Sequence, residues 1–522
     1  MKRLRGLGAA FVVGALVVAG CGSSASDNGS ASGSTEPRRG GVMTLGVHYE
    51  PPSMDPAICG GSSGFSHCQP VFDTLLRYDY ATQEFLPQLA QSFDTTDGKT
   101  WTLKLRNGVT FSDGTPLNAD AVVFNWDRIR DPQTLSPALR AVDGMTWTKV
   151  DDLTVQVTLQ QVNYQLPGKL ALQLGFIGSP TAIRSSGAEA GSKPVGAGPF
   201  TLTSWTRGTE ASYAANPRYW QQGRPYLDGL VVKDINDDNQ RLNSFMAGDL
   251  SVNVSPRTQE TKIAKDAGYE VTGPVPMIAG TGLGMNDRDP LLQDEDLRMA
   301  LLHALDANQV VQAVYPGDPA PDALLRPGDP YRDDQAGLYP AFDLRAAQER
   351  FDAYLKRTGK TSETLTLTVF TSPLLAQAAQ VIQAQLGQIN GLTVKLDSVD
   401  TPTLVSRLTA GKFQLVQGSS NLAVSDGIYD TYHTNGTLNS YGYSNPMVDE
   451  ALDVTRTSND PKVVAEAYGR AAGEISQDPP LRYYRYYAPH VWQQKSVHDL
   501  TLTVFGSGVG VYWDNAWLDQ DQ

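Results

Sequence analysis

One stretch, residues 365–416, restricts the fold more than any other. Leu365, Leu367 and Val369 alternate with polar residues and predict a short strand. Ser372-Pro373 then supplies a helix N-cap followed by proline at the first helical position. Leu374, Ala378, Val381, Ile382, Gln385 and Ile389 predict a long helix that Gly391 ends. Val394, Leu396 and Val399 predict a second strand, Thr401-Pro402 opens another helix, and Phe413-Gln-Leu-Val416 predicts a third strand. Such alternation requires crossover connections, which give parallel strands with helices packed on the sheet faces. Upstream, Leu297, Ala300, Leu301, Ala304 and Leu305 form a helical stripe, and Asp343 opens a helix with Ala347, Phe351 and Leu355 inward. Residues 283–491 therefore read as one α/β lobe. In open parallel sheets ligands sit beyond the carboxyl ends of the strands. The segment after Val416, Gln417 to Gly427, is a candidate site on that ground. It reads as a loop, with Ser419, Ser420, Asn421 and Asp426 as its small polar members.

The preceding part of the chain is richer in strands. Trp101, Leu103 and Leu105, and again Val155, Val157 and Leu159, alternate as half-buried strands do. Between them Asn118 can cap a helix with Val122, Trp126 and Ile129 on one face. Residues 67–189 read as a subdomain of their own. At 522 residues, 40% of them hydrophobic, the chain can build two or three domains with real cores. Its formal charge of -14 argues against nucleic acid as a partner.

The first residues predict the compartment. Lys2, Arg3 and Arg5 precede an apolar stretch from Leu7 to Ala19, a pattern of secretory signals and too short for a good membrane span. Val18-Ala19-Gly20-Cys21 resembles the bacterial lipobox, which implies cleavage before Cys21 and a lipid on its sulfur. Residues 1–20 would be the signal peptide and 21–41 a lipidated, Gly/Ser-rich tether. The chain would then be held on the extracytoplasmic face of the cell membrane by acyl chains. In that oxidising compartment Cys59 and Cys68, nine residues apart, read as a disulfide. The rival reading, a metal site with His67, is short of ligands.

Several blocks of the chain carry a family resemblance. They include Pro52-Ser-Met-Asp-Pro-Ala57, Val71-Phe-Asp-Thr-Leu-Leu, and Trp101-Thr-Leu-Lys-Leu-Arg-Asn-Gly-Val-Thr-Phe-Ser-Asp-Gly-Thr-Pro. Pro194-Val-Gly-Ala-Gly-Pro-Phe200, Leu283-Gly-Met-Asn286, Leu297 to Asp306 and Tyr443-Ser-Asn-Pro-Met-Val-Asp449 follow in order. Together they resemble the family 5 solute-binding proteins, the peptide/nickel group that serves ABC importers. The resemblance implies a two-lobed α/β periplasmic-binding-protein fold of type II, with a subdomain inserted in the first lobe. Lobe I would comprise 42–66, 190–282 and 492–522, the insertion 67–189, and lobe II 283–491. The chain would cross between lobes at Leu283–Asn286 and near Tyr486–Val491. The lobes would close over a small solute, and the closed monomer would dock on an ABC permease.

The resemblance also places Asn421 where peptide-binding members carry an Asp for the ligand's amino group, and Gly418 where they often carry Trp. Either Asp426 or Asp430 replaces that Asp, or the ligand lacks a free amino group, as a modified peptide, sugar or metal chelate does. Further candidates are Gly60, Gly61, Ser62 and Ser63 in the disulfide loop, and the run Arg482, Tyr484, Arg485, Tyr486 and Tyr487 near the return crossing. Tyr441 and Trp513 are candidate cleft aromatics, and Arg485 a candidate partner for a ligand carboxylate. No nucleophile motif, phosphate loop or zinc signature is present, and no cofactor is expected. The six His show no paired spacing for a metal. A secreted hydrolase and a sensor lipoprotein are the other classes.

Overall fold

The computed structural model describes residues 36–48, 50–79, 81–273, 278–329, 331–335, 337–422, 426–505 and 508–519. Cys21 and the expected signal lie outside them. The body from Arg38 onward forms one unit, built on two main sheets.

Strand β1 (Val42–Val47) enters first, and helix α1 (Gly61–Phe72) follows. Cys59 and Cys68 are joined as a disulfide across the start of α1. The chain then makes an antiparallel sheet of β2 (Ala90–Thr95), β3 (Thr100–Leu105), β4 (Met145–Asp151) and β5 (Thr154–Leu159), ordered β2-β3-β5-β4. Helix α2 (Ala119–Arg130) covers it, with the Asn118 side chain accepting from the Ala121 N–H and Trp126 and Ile129 buried. This core takes in Ala57 and the residues from Leu75 onward, and is separate from that of α1. Phe65, Cys68, Val71 and Phe72 of α1 pack instead under the β1 sheet. Residues 67–72 thus belong with lobe I, a correction to the expected boundary at 67.

The chain returns through β6 (Phe200–Thr206), β7 (Glu210–Ala215), β8 (Gly229–Asp234), β9 (Val252–Ser255) and β10 (Glu270–Thr272). β1 lies in the middle of this sheet, parallel to β8 over six residue pairs and to β9 on its other side. The sheet's seventh strand arrives from far downstream.

Lobe II opens with β11 (Ile278–Met285), then α3 (Glu295–Ala304), α4 (Leu344–Thr358), β12 (Glu363–Phe370), α5 (Pro373–Leu386), β13 (Leu392–Val399), α6 (Thr401–Ala410) and β14 (Leu415–Leu422). Helices α7 (Asp426–Tyr432), α8 (Pro446–Thr457) and α9 (Pro461–Gln477) lead to β15 (Leu481–Tyr486). The sheet order is β13-β12-β14-β11-β15. β12, β13 and β14 are parallel, as the alternation predicts, while β11 runs antiparallel both to β14 and to β15, its neighbours on either side. Strand β16 (His490–Gln493) then completes the lobe I sheet between β10 and β9, and the hairpin β17 (Thr501–Phe505) and β18 (Gly508–Tyr512) packs beside α1.

Several expectations are corrected here. The chain leaves lobe I after Thr272 and β11 already starts at Ile278, so Leu283–Asn286 lies in and just after a lobe II strand and is not the crossing. The return runs from Tyr486 to His490, so His490 and Val491 belong to the lobe I sheet. Helix α5 stops at Leu386, with Gly387 as its C-cap, and Ile389 is buried beyond it. Asp400, not Thr401, caps α6, its carboxylate accepting from the Thr403 N–H. The third strand spans Leu415–Leu422, not Phe413–Val416, which puts Ser419, Ser420 and Asn421 on a strand. Small polar residues read as a loop, but β11 pairs with every one of them from Ile278↔Leu422 to Met285↔Leu415.

Candidate functional site

The carboxyl end of β14 is built asymmetrically. On one flank it pairs with β11 along its whole length. On the other, β12 meets it only at Leu367↔Leu415 and Thr368↔Val416. From Gln417 to Leu422 the strand therefore has a strand neighbour on one flank only. Every second residue of such an edge turns its N–H and C=O outward, ready to pair with another extended chain.

Side chains along this edge divide by face. Ser419 is exposed, whereas Ser420 is buried and its hydroxyl bonds the Tyr483 hydroxyl. Gln417 donates from Nε2 to the Tyr484 hydroxyl at 2.7 Å. Gly418 is dictated by packing, since a Cβ there would lie 2.3 Å from the Tyr441 hydroxyl. Tyr441 is itself 6% exposed and edge-on to Phe413, so its ring is packed within lobe II. The ring of Tyr441 occupies the space beside Gly418, which explains why no larger residue stands there. The backbone of Asn421 faces Ala279 of β11.

Asp426 opens α7, four positions past the end of β14. It is buried, and Arg456 of α8 binds it with both Nε (2.8 Å to Oδ1) and Nη2 (3.1 Å to Oδ2). The same Nη2 reaches Asp430 Oδ1 at 2.9 Å, and the guanidinium lies 3.3 Å from the centre of the Tyr429 ring. Burial, then the charge of Asp426, holds the Asp430 carboxyl above its ordinary range, against the pull of Lys169 and Arg456. Neither carboxylate is a free receptor for an ammonium group. No local pattern signals this pairing, because Arg456 is 30 residues from Asp426 and only the fold joins them.

Gly60 precedes α1 as its N-cap, with Ser62 in the first turn. A Cβ on Gly60 would meet Gln173 Oε1 at 2.8 Å, so the Gln173 amide from the inserted subdomain lies directly over this position. Arg485 is not available to a ligand carboxylate in this arrangement. Its Nε donates to Asp318 at 2.6 Å and its Nη2 to the Pro256 carbonyl at 2.8 Å, beside the Tyr315 ring. Pro256 follows β9, so Arg485 fastens lobe II to lobe I near the return crossing. Arg482 is buried against Tyr339, donating to the Pro321 carbonyl at 3.4 Å, and burial lowers the pKa of its guanidinium. Tyr484 and Tyr486 are buried too, the Tyr486 hydroxyl donating to the Ala323 carbonyl at 2.8 Å. Tyr487 packs against the lobe I core. Trp513 is 1% exposed and packs in that same core, with Phe65 and Phe72 of α1.

A polar cavity of about 460 Å³ lies at the opposite, amino end of β14, lined among others by Arg288, Thr366, Thr368, Arg407 and Lys412. This cavity lies away from the strand end that topology favours. The strand end is the stronger candidate, because open backbone groups there adjoin the connections between lobes. Among the described residues no three His, Cys, Asp or Glu side chains are placed to share a metal ion, and no helix is long and apolar enough to cross a membrane.

The model of the bacterial extracellular solute-binding proteins, family 5, matches residues 84–442. Protein XP55 of Streptomyces lividans is 28% identical over 464 residues, covering 84% of this chain and 82% of that protein. The oligopeptide-binding protein AppA of Bacillus subtilis is 26% identical, over 92% of this chain and 93% of its own. AppA solved with a nonapeptide superposes with a TM-score of 0.77 at 22% identity, covering 93% of this chain and 100% of that one. The binding protein AgaA of A. tumefaciens R10, solved with agropinic acid, gives 0.79 at 22% identity, over 92% and 99%.

Proposed function

This chain belongs to family 5 of the bacterial extracellular solute-binding proteins, and from that premise we propose that it captures peptides for an ABC importer by closing its two lobes over them. The observation that supports peptides is the one-sided strand β14. An extended peptide can add to such an edge as a further strand. Its main chain supplies the hydrogen bonds, so affinity does not depend on reading each side chain. Ser419, exposed on this edge, and the backbone of Ser420 and Asn421 are the contacts we assign on lobe II, with Gly60 and Ser62 across the cleft. AppA, a relative along nearly the whole chain, is named as an oligopeptide-binding protein.

The peptide's amino group is held without a free carboxylate from Asp426 or Asp430, because Arg456 already engages both. Binding then rests on main-chain pairing and burial on closure. The protein acts by binding and release rather than turnover. A lipid on Cys21 keeps it at the extracytoplasmic face of the membrane, beside the permease.

A second reading has one observation in its favour. The compensated Asp426–Arg456–Asp430 cluster suits a solute with no amino group, and AgaA was solved with agropinic acid. Native mass spectrometry of residues 22–522 purified from a rich medium separates the two. A spread of masses fitting short peptides supports the peptide reading, and one non-peptide mass replaces it with the second. A chain that carries no ligand and binds none of a peptide mixture by calorimetry would sink the proposal.

A further inference from the structure

The inserted subdomain touches lobe II through a set of bonds that involves neither connecting segment. The Tyr164 N–H donates to the Arg456 carbonyl at 2.8 Å. Gln165 Nε2 donates to the Thr455 carbonyl at 3.1 Å, and Arg140 Nη1 to the Thr437 carbonyl at 3.0 Å. All three acceptors are main-chain oxygens of lobe II. Thr455 and Arg456 lie in the last turn of α8, where carbonyls have no partner within their own helix. The subdomain thus caps the end of α8 from across the molecule, and those carbonyls lose their protein partners when the lobes part.

The same residue faces both ways. Arg456 gives its carbonyl to Tyr164 and its guanidinium to Asp426 and Asp430, one turn apart on α7. Asp426 is joined to the end of β14 by three residues. A shift of the strand end that moves α7 would reach the subdomain contact through Arg456. The charged groups around this junction are Asp426, Asp430, Arg456 and Lys169, with Arg140 at its rim.

We propose that Arg140, Tyr164 and Gln165 form a latch that caps the end of α8 and holds the closed state, and that Arg456 is the positioning residue that couples this latch to the ligand-facing end of β14. The latch adds to the proposed function, and rests on it only in taking lobe closure as the binding motion. Because its bonds end on main-chain oxygens, it stabilises closure whatever side chains the solute carries. Removing two of its three bonds is expected to lower the closed-to-open ratio about tenfold, since each net hydrogen bond is worth a few-fold in an equilibrium.

The test is a distance distribution between spin labels at Asp143→Cys and Met447→Cys in residues 22–522, which retain the whole body. It is recorded without ligand and with a mixture of synthetic tri-, tetra- and pentapeptides. The latch predicts a short-distance population that shrinks about tenfold relative to the open one when Arg140→Ala and Gln165→Ala are added. Neither side chain belongs to a core or to the proposed ligand contacts. Identical distributions with and without the two substitutions, or no short-distance population in either condition, would overturn the latch. Failure of the peptide reading looks different: the mixture leaves the distribution of the unsubstituted chain unchanged, while the ligand-free distribution still responds to the substitutions.

Discussion

The two lobes reach similar architectures by opposite routes. Lobe II takes the parallel part of its sheet from one contiguous stretch, β12 to β14, with each crossover helix lying between the strands it joins. Lobe I collects its strands from three distant stretches: β1 from the start, β6 to β10 from the middle, and β16 from near the end. Local pattern is therefore enough to see lobe II, while lobe I exists only once chain segments hundreds of residues apart have paired. Long-range pairing closes large loops before contacts reward it. Lobe I also carries the covalent tie, Cys59–Cys68, whereas lobe II depends at its ligand end on a buried ion cluster.

That contrast can be broken most severely at Arg456. Replacing it by Ala leaves Asp426 and Asp430 without their cation in a mostly buried site. A loss of about 3 kcal/mol is expected, read as faster hydrogen exchange in α7, α8 and β14 with lobe I little changed. Equal loosening of both lobes would deny that the cluster is local to lobe II. The lobe I counterpart is Cys59→Ser with Cys68→Ser. Opening a disulfide across so short a loop costs about 2–3 kcal/mol in the chain-entropy account, and the effect is expected in α1 and the tail hairpin. Next in size is Gly418→Ala, which drives a methyl group into the buried Tyr441 hydroxyl. About 1–3 kcal/mol of overpacking follows, and the further substitution Tyr441→Phe should recover part of it. No recovery would mean that the strand needs glycine for another reason.

What could be read from the sequence follows the same division. Trp126 and Ile129 on α2, and Leu365 and Leu367 on β12, announce themselves by spacing, because one helix face or one strand face is buried along its length. Ser419 to Asn421 do not, because their strand is fixed by pairing with the Gly-rich β11 rather than by apolar alternation. The Cys pair was legible from spacing and compartment. Arg456 was invisible, as a partner of Asp426 chosen by the packing of α8 on α7 must be. Trp513 and Tyr441 announce burial for a general reason: aromatic residues signal it, and composition cannot say whether core or ligand buries them.

The smallest expected effect concerns pH, and it has opposite signs in the two lobes. His48 in lobe I is held down to about 4 by burial and then by Arg241, against the pull of Asp238. The unfolded chain takes up that proton more readily, so this contribution to stability is complete above about 6.5 and is lost as pH falls towards 4. Asp287 in lobe II is pushed up to about 7, chiefly by burial and further by Asp478. Here the folded chain holds the proton more tightly, so lobe II gains stability as pH falls from about 7 towards 4. Hydrogen exchange at pH 7.5 and 5 should show β1 and β8 loosening while β11 tightens relative to them. Asp287→Asn should remove the lobe II trend alone.

Peptide capture on this route depends on the ligand being held as an added strand along β14. Residue-resolved amide exchange over Gln417–Leu422, with and without a bound peptide recovered from the native protein, tests it most directly. Strand addition predicts that the outward-facing amides of this segment, fast in the free protein, become protected on binding, while those already paired with β11 change little. A peptide that binds tightly and leaves these outward amides exchanging as before would contradict it.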